Sequence, residues 1–144
     1  MSIFESSFVV KFKSTRSSFN DTSYRDGEKI CIVTVGGSSV GGDLIRRILA
    51  AYPMAKRAIP ELRMIVVTGP RLDPVGFNFP AGVKVRRFVP DLDRHFAACD
   101  LALVQGGLTT SMELAAAGTP FLYFPLKNLL SNAPLVSCFQ KALL

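Results

Sequence analysis

The amino-acid sequence predicts an α/β domain, a parallel sheet with helices on both faces. Three observations predict it. Short β-branched runs recur along the chain, and the first, Ile30 to Val35 (ICIVTV), is nearly continuous, as in a strand covered on both sides. Between the runs lie segments whose apolar residues follow helical spacing. The connections are also long enough to be crossovers, which parallel strands require and hairpins do not.

Each element has its own signal. After Ile30–Val35 comes a glycine-rich loop, Gly36 to Gly42. A helix then starts at Asp43, with Leu44, Ile45, Ile48, Leu49 and Tyr52 on one side and Arg46, Arg47 and Ala50 toward the other. Pro53 is expected to end that helix or open a short second one, because it cannot donate an interior hydrogen bond. Arg63 to Thr68 is the second strand, closed by Gly69-Pro70, and Val83 to Val89 the third. Asp91 to Cys99 is a short helix with Asp91 as its cap and Leu92, Phe96 and Ala97 as its apolar side. Leu101 to Val104 is the fourth strand, Leu108 to Ala117 a helix, and Thr119 to Phe124 the fifth strand. Gly118 followed by Pro120 is a stop signal for the helix before it.

Composition bounds the rest. At 144 residues the chain suits one compact domain, spanning 29–144 after a Ser-, Phe- and Lys/Arg-rich arm at 1–28. Seventeen basic against 11 acidic residues give +6, which favours anionic company: phosphates, nucleic acid or a membrane face. Nucleic acid is disfavoured, since no basic helix interleaved with aromatics is present. No apolar run approaches the length of a membrane span, and residues 1–13 lack a secretory core. Cys31, Cys99 and Cys138 are scattered without metal-ligand spacing and read as free thiols in a reducing, cytoplasmic setting. Lys11, Lys13, Arg16 and Arg25 form a basic tail that could touch anionic lipid at the membrane periphery.

In a sheet of this kind ligands bind beyond the carboxyl ends of the strands. Two loops there stand out. Gly36-Gly37-Ser38-Ser39-Val40-Gly41-Gly42 precedes a helix N-terminus, whose free N–H groups and dipole suit an anion. A dinucleotide fingerprint fails, because Ser38 or Ser39 stands where the middle glycine belongs and no acid follows the second strand. The phosphate loop of nucleotide hydrolases fails as well, with Asp43 in place of lysine. The second loop, Gln105-Gly106-Gly107, opens the helix bearing Thr109, Thr110 and Glu113. Thr109 and Glu113 lie one turn apart on one face, so hydroxyls can meet a diphosphate while the carboxylate stands off at the distance of a ribose. The competing reading makes the Thr-Thr-Ser run a helix cap and Glu113 a solvated first-turn acid.

The segments GGSS, VKVRRFVPDLDRHFAACDLALVQGG and LTTSMELAAAGTPFLYFPL, with Asn132-Ala133, resemble the donor-binding half of two-Rossmann-domain (GT-B) glycosyltransferases. The pattern is similar to the transferases that add N-acetylglucosamine to the lipid-linked peptidoglycan precursor. The resemblance covers about residues 30–133 and implies a Rossmann-like domain, one half of a GT-B architecture and incomplete at its carboxyl end. It implies a hexosyltransferase component using a nucleotide sugar, with UDP-sugar expected, and neither metal nor cofactor. Gly36, Gly37 and Ser38 would line the phosphate side of the cleft, and Phe88 and Val89 would sit against the base. Gly107, Thr109 and Thr110 would hold the diphosphate, Glu113 would clasp the ribose diol, and Gln105, Gly106 and Asn132 would belong to the same substrate-binding set.

Departures from that pattern limit what carries over. Gln105 stands where many relatives have histidine, which argues against a direct catalytic role. The Glu-Gln or Gln-Gln pair that reads the donor sugar is absent from Pro125 to Asn132. No acceptor half or general base is recognisable, so a missing amino-terminal domain or a separate subunit is expected to supply it, and the isolated chain is expected to be inactive. The alternatives are a non-catalytic nucleotide-binding or interaction module, or a relative of nucleotide-sugar epimerases. His95, the only histidine, lies mid-helix and reads as structural. Arg86 and Arg87 are either steering charges for the donor or solvated edge residues.

Overall fold

A computed structural model describes residues 25–35, 41–105 and 108–124. Among these residues five strands form one parallel sheet: β1 (Lys29–Val35), β2 (Leu62–Val67), β3 (Val83–Arg86), β4 (Leu101–Gln105) and β5 (Phe121–Tyr123). Their order is β3-β2-β1-β4-β5. The chain first winds outward from β1 to β3, then crosses back to place β4 on the other side of β1. This is the doubly wound, Rossmann-like arrangement, and its switch point lies between β1 and β4.

Alternation along β1 explains the layers. Cys31, Val33 and Val35 pack with Leu44, Ile45, Ile48 and Tyr52 of helix α1 (Gly42–Ala58). Ile30 and Ile32 point the other way, into a cluster with Phe96 of α2 (Leu92–Ala98) and Leu114 of α3 (Leu108–Ala117). Because both faces are covered, the middle strands are buried along almost their whole length, which is why the sequence runs there are apolar without interruption.

Buried polar groups fix the amino-terminal edge of the sheet. The Ile30 N–H donates to Asp100 Oδ2 at 2.7 Å, while the Asp100 N–H returns a bond to the Ile30 carbonyl at 2.9 Å. The Thr119 hydroxyl donates to the Phe96 carbonyl at 2.6 Å, tying α2 to the segment that enters β5. Cys31 and Cys99 are buried free thiols, and burial, with lesser help from Cys99 and Asp100, pushes the Cys31 thiol well above its ordinary range.

Four expectations change. Pro53 neither ends nor splits α1, which runs through it to Ala58. Pro53 lies on the exposed side, where the carbonyl it leaves without an N–H can meet water, and buried Ala55 continues the stripe beyond it. Asp91 is not a side-chain cap: it takes a left-handed conformation (φ 52°), and its carbonyl instead accepts from the Arg94 N–H at 2.9 Å. The apolar side of α2 buries Phe96 and Ala98, with Leu92 and Ala97 half-buried. β3 stops at Arg86 and β5 at Tyr123, so Arg87 to Val89 and Phe124 lie past the ends of their strands. The Gly118 stop signal is present as read: Gly118 has φ 64°, its N–H donates to Ala115, and the Thr119 N–H donates to Leu114, a Schellman closure.

The last residues of the arm touch the sheet. Glu28 accepts from Arg63 Nη1 at 3.1 Å and from the Arg25 N–H at 3.1 Å. Burial would raise the Glu28 carboxyl, but the Arg25 backbone bond and the Arg63 guanidinium outweigh it and hold the group below its ordinary value. A depressed folded-state pKa stabilises the fold fully above the ordinary 4.5, and that stabilisation disappears as pH falls through the lower folded value. Acid unfolding of Glu28→Gln is therefore expected to be less steep than that of the parent, read as the dependence of Tm on pH from pH 5 to about 3. Equal slopes would contradict the assignment.

Candidate functional site

The site is built around the switch point. Val35 is register-paired with Gln105, so the segments after β1 and after β4 depart from neighbouring residues at one rim of the sheet. Helices α1 and α3 follow those segments and start at the same rim. Their first N–H groups and dipoles are therefore directed at a common region, an arrangement that favours an anion. Gly41 precedes α1 without any side-chain cap bond. A Cβ at Gly41 would collide with the Val35 side chain, whereas one at Gly42 would make ordinary contact with the Phe77 ring at 3.5 Å. Gly41→Ala is thus expected to distort the approach of α1 to β1 and lower Tm by several degrees, with Gly42→Ala close to neutral. Equal melting of the two variants would rule this out.

Gln105 ends β4 with 6% exposure, and its Nε2 has no hydrogen-bond partner among the described residues. A buried amide donor without a partner is costly unless something else accepts from it. It is thus a buried donor at the carboxyl end of β4.

On α3, Leu114 is fully buried and sets the orientation of the helix. Thr110, one turn before Leu114, is half-buried, while Thr109 and Glu113 are exposed along one edge. The structure thus keeps Thr109 and Glu113 together and turns Thr110 toward the packed side. Phe88 and Val89 follow β3, two strands removed from β1. Phe88 is 77% exposed, whereas Val89 packs into the α2-side core. They border a groove of about 240 Å³ lined also by Ile65, Val67, Lys84 and Arg86. His95, half-buried on α2, lines the opposite wall of that groove. Arg86 and Arg87 are both exposed.

Gly36, Gly37, Ser38, Gly106, Gly107 and Asn132 lie outside the described residues, as do Cys138 and the arm lysines Lys11 and Lys13 with Arg16. Sequence reasoning did not single out Asp100 or the Gly41 contact. Asp100 sits at the opposite edge from the site, and its bond to Ile30 is a pairing between residues 70 positions apart that no local pattern announces. No helix among the described residues is long and apolar enough to cross a membrane.

Comparison with known proteins fits this fold. Two curated relatives share the pattern at moderate identity. A UDP-N-acetylglucosamine–N-acetylmuramyl-(pentapeptide) pyrophosphoryl-undecaprenol N-acetylglucosamine transferase of Frankia casuarinae is 33% identical over 101 residues, 65% of this chain and 26% of the relative. An uncharacterized glycosyltransferase of Methanosarcina mazei is 30% identical over 92 residues, 63% of this chain and 23% of its own length. The chain therefore spans about a quarter of these relatives. Among solved structures, the glycosyltransferase of kitacinnamycin superposes with TM-score 0.65 at 14% identity over 94% of this chain and 40% of that one, a likeness of fold. Residues 30–133 match the model of the glycosyltransferase family 28 C-terminal domain, and with most of its length so matched the chain belongs to that family.

Proposed function

We propose that the chain binds a nucleotide sugar, with UDP as the nucleotide, and presents it for transfer of the sugar to an acceptor hydroxyl. The observation that supports this most is the pairing of Val35 with Gln105, which brings both helix starts and one amide donor without a partner among the described residues to a single rim. The diphosphate would lie across that rim. There it would take hydrogen bonds from the first N–H groups of α1 and α3, from the Thr109 and Thr110 hydroxyls and from Gln105 Nε2. Glu113, one turn along α3, would accept both ribose hydroxyls, far enough from the phosphates to limit repulsion.

The base would extend toward β3. Phe88 follows a strand three positions from β4, about 14 Å away at ordinary strand spacing, a reach suited to a nucleoside diphosphate in extended form. An exposed ring at that end offers a face for stacking, and the backbone of Val89 offers polar edge groups.

The chemistry is displacement at the anomeric carbon. The acceptor oxygen forms a bond to that carbon, the bond to the diphosphate oxygen breaks, and the nucleoside diphosphate leaves with the electron pair. Donors already aimed at the diphosphate stabilise the charge that grows there. The hydroxyl proton goes to a base outside the described rim, and the acceptor side, whether another domain or another subunit, completes the transferase.

Calorimetric titration with UDP and with UDP-N-acetylglucosamine tests the reading. Saturable binding of UDP, competed by inorganic pyrophosphate, is expected. Absence of binding by any nucleoside diphosphate would refute it. Binding of UDP with no preference for a sugar-bearing form would favour a nucleotide-binding module without transfer, the reading to which the missing sugar-recognition pair points.

A further inference from the structure

A doubly wound sheet carries helices on both faces, and over β2 and β3 one face is short of cover. On the α1 side, α1 together with Leu72, Phe77 and Phe79 packs in one cluster with Leu62, Met64, Val66 and Val83. On the other side α2 has only seven residues, and the groove of about 240 Å³ runs between its Leu92 and His95 and the Lys84 and Arg86 side chains of β3. Strand register sets two kinds of lining residue side by side: Ile65 pairs with Lys84, and Val67 with Arg86. An apolar floor therefore lies beside two cations about 7 Å apart along one strand. Ile65 and Val67 are 9% and 8% exposed, so the floor admits a single row of side chains. Arg63, also in the lining, is already held by Glu28 at 3.1 Å. Lys84 and Arg86 are exposed, and among the described residues no carboxylate lines the groove. Asp91 and Asp93 are exposed around the start of α2, outside that lining.

We infer that this groove receives an acidic amphipathic helix of a partner protein, its apolar side chains seated on Ile65 and Val67 and its carboxylates on Lys84 and Arg86. The spacings agree. Residues four apart on a helix rise about 6 Å, close to the roughly 7 Å step from Lys84 to Arg86. From Arg63 to Val67 the groove follows β2 for about 13 Å, the length of about nine helical residues. Phe88, 77% exposed in the same lining, adds apolar surface for such a helix to cover. A strand added to the border of β3 would pair with its backbone and leave the groove empty, and a nucleic acid would have no use for the apolar floor. The chain's own remaining segments do not match in charge. Residues 1–24 carry Lys11, Lys13 and Arg16 against Glu5 and Asp21, and residues 125–144 carry Lys127 and Lys141 with no acid. The inference stands on this face alone and does not depend on nucleotide binding.

Methyl NMR titration of the full chain tests it, with a synthetic helical peptide of about 14 residues that carries leucine along one face and glutamate four residues apart beside it. Saturable shifts of the Ile65, Val67 and Leu92 methyls are expected, with affinity falling as salt is added. Lys84→Glu/Arg86→Glu is expected to lower the affinity about tenfold, whereas Lys84→Arg/Arg86→Lys, which keeps the charge, should bind as the parent does. The same peptide with lysine for glutamate, or with serine for leucine, should not bind. Absence of shifts, equal binding by the Glu double variant, or equal binding of either altered peptide would overturn the inference. Shifts produced by octanoate and not by the peptide would overturn it in favour of a small amphiphilic anion. Nuclear Overhauser contacts from residues 1–24 or 125–144 to Val67 in the chain alone would overturn it as well, making the chain its own occupant.

Discussion

Replacing Glu113 with alanine is expected to weaken UDP binding by 30-fold or more while leaving the melting temperature unchanged. The side chain is exposed and makes no packing contact that the fold requires, so its loss costs little stability. In the proposed complex the carboxylate accepts two hydroxyl bonds from the ribose. Charged hydrogen bonds of this kind contribute about 1.5–3 kcal/mol each, and partial solvation at an exposed helix edge places the pair near the lower end, about 2–3 kcal/mol in all. A ligand that lacks the diol provides the control: pyrophosphate should bind the variant and the parent equally. Uniform weakening of UDP and pyrophosphate would mean that Glu113 shapes the rim as a whole and does not hold the ribose.

The largest effect on the fold is expected from Phe96→Ala. Phe96 is fully buried in the α2-side core, and its carbonyl accepts from Thr119 Oγ1 and Cys99 Sγ. Removing the ring should cost about 3–5 kcal/mol through lost burial and the cavity left behind. For a domain of this size that lowers Tm by roughly 10–25 °C, measurable by circular dichroism. Phe96→Leu, which refills much of the volume, should recover about half of the loss. If alanine is tolerated within a few degrees, α2 is not an integral part of the core.

The alternation of strands and helices was legible because period-2 and period-3.6 patterns are local, and because a doubly covered sheet writes uninterrupted runs such as ICIVTV and MIVV into the chain. The glycine-proline punctuation at Gly118-Thr119-Pro120 was legible for the same reason, since it answers a local backbone need. Pro53 misled because the rule it invokes is local, while the burial of Tyr52 and Ala55 that carries α1 past it depends on contacts with the sheet. Asp91 misled differently: acids before a helix usually cap it, but here a left-handed turn out of β3 presents the carbonyl in place of the side chain.

At the site, the spacing of Thr109 and Glu113 announced a shared helix face, and the structure keeps them on one exposed edge. The adjacency of the two loops could be argued only from the general behaviour of parallel sheets. The strand order supplies it, through the pairing of Val35 with Gln105 across 70 residues of chain. The burial of the Gln105 amide had no sequence signal. A polar residue at the end of an apolar strand reads equally well as its solvated terminus, and only the neighbouring layers decide otherwise.

The lysine and arginine on the groove side of β3 also bear on how the molecule avoids its own copies. Among the described residues β3 ends the sheet on one side, so its outer backbone donors and acceptors could in principle recruit a strand from another molecule. Two such strands meeting antiparallel would bring Lys84 and Arg86 alongside the same residues of the second chain, cation against cation at cross-strand distance. Like charge at that border thus disfavours strand-to-strand pairing there, which a plain valine-rich edge would accept.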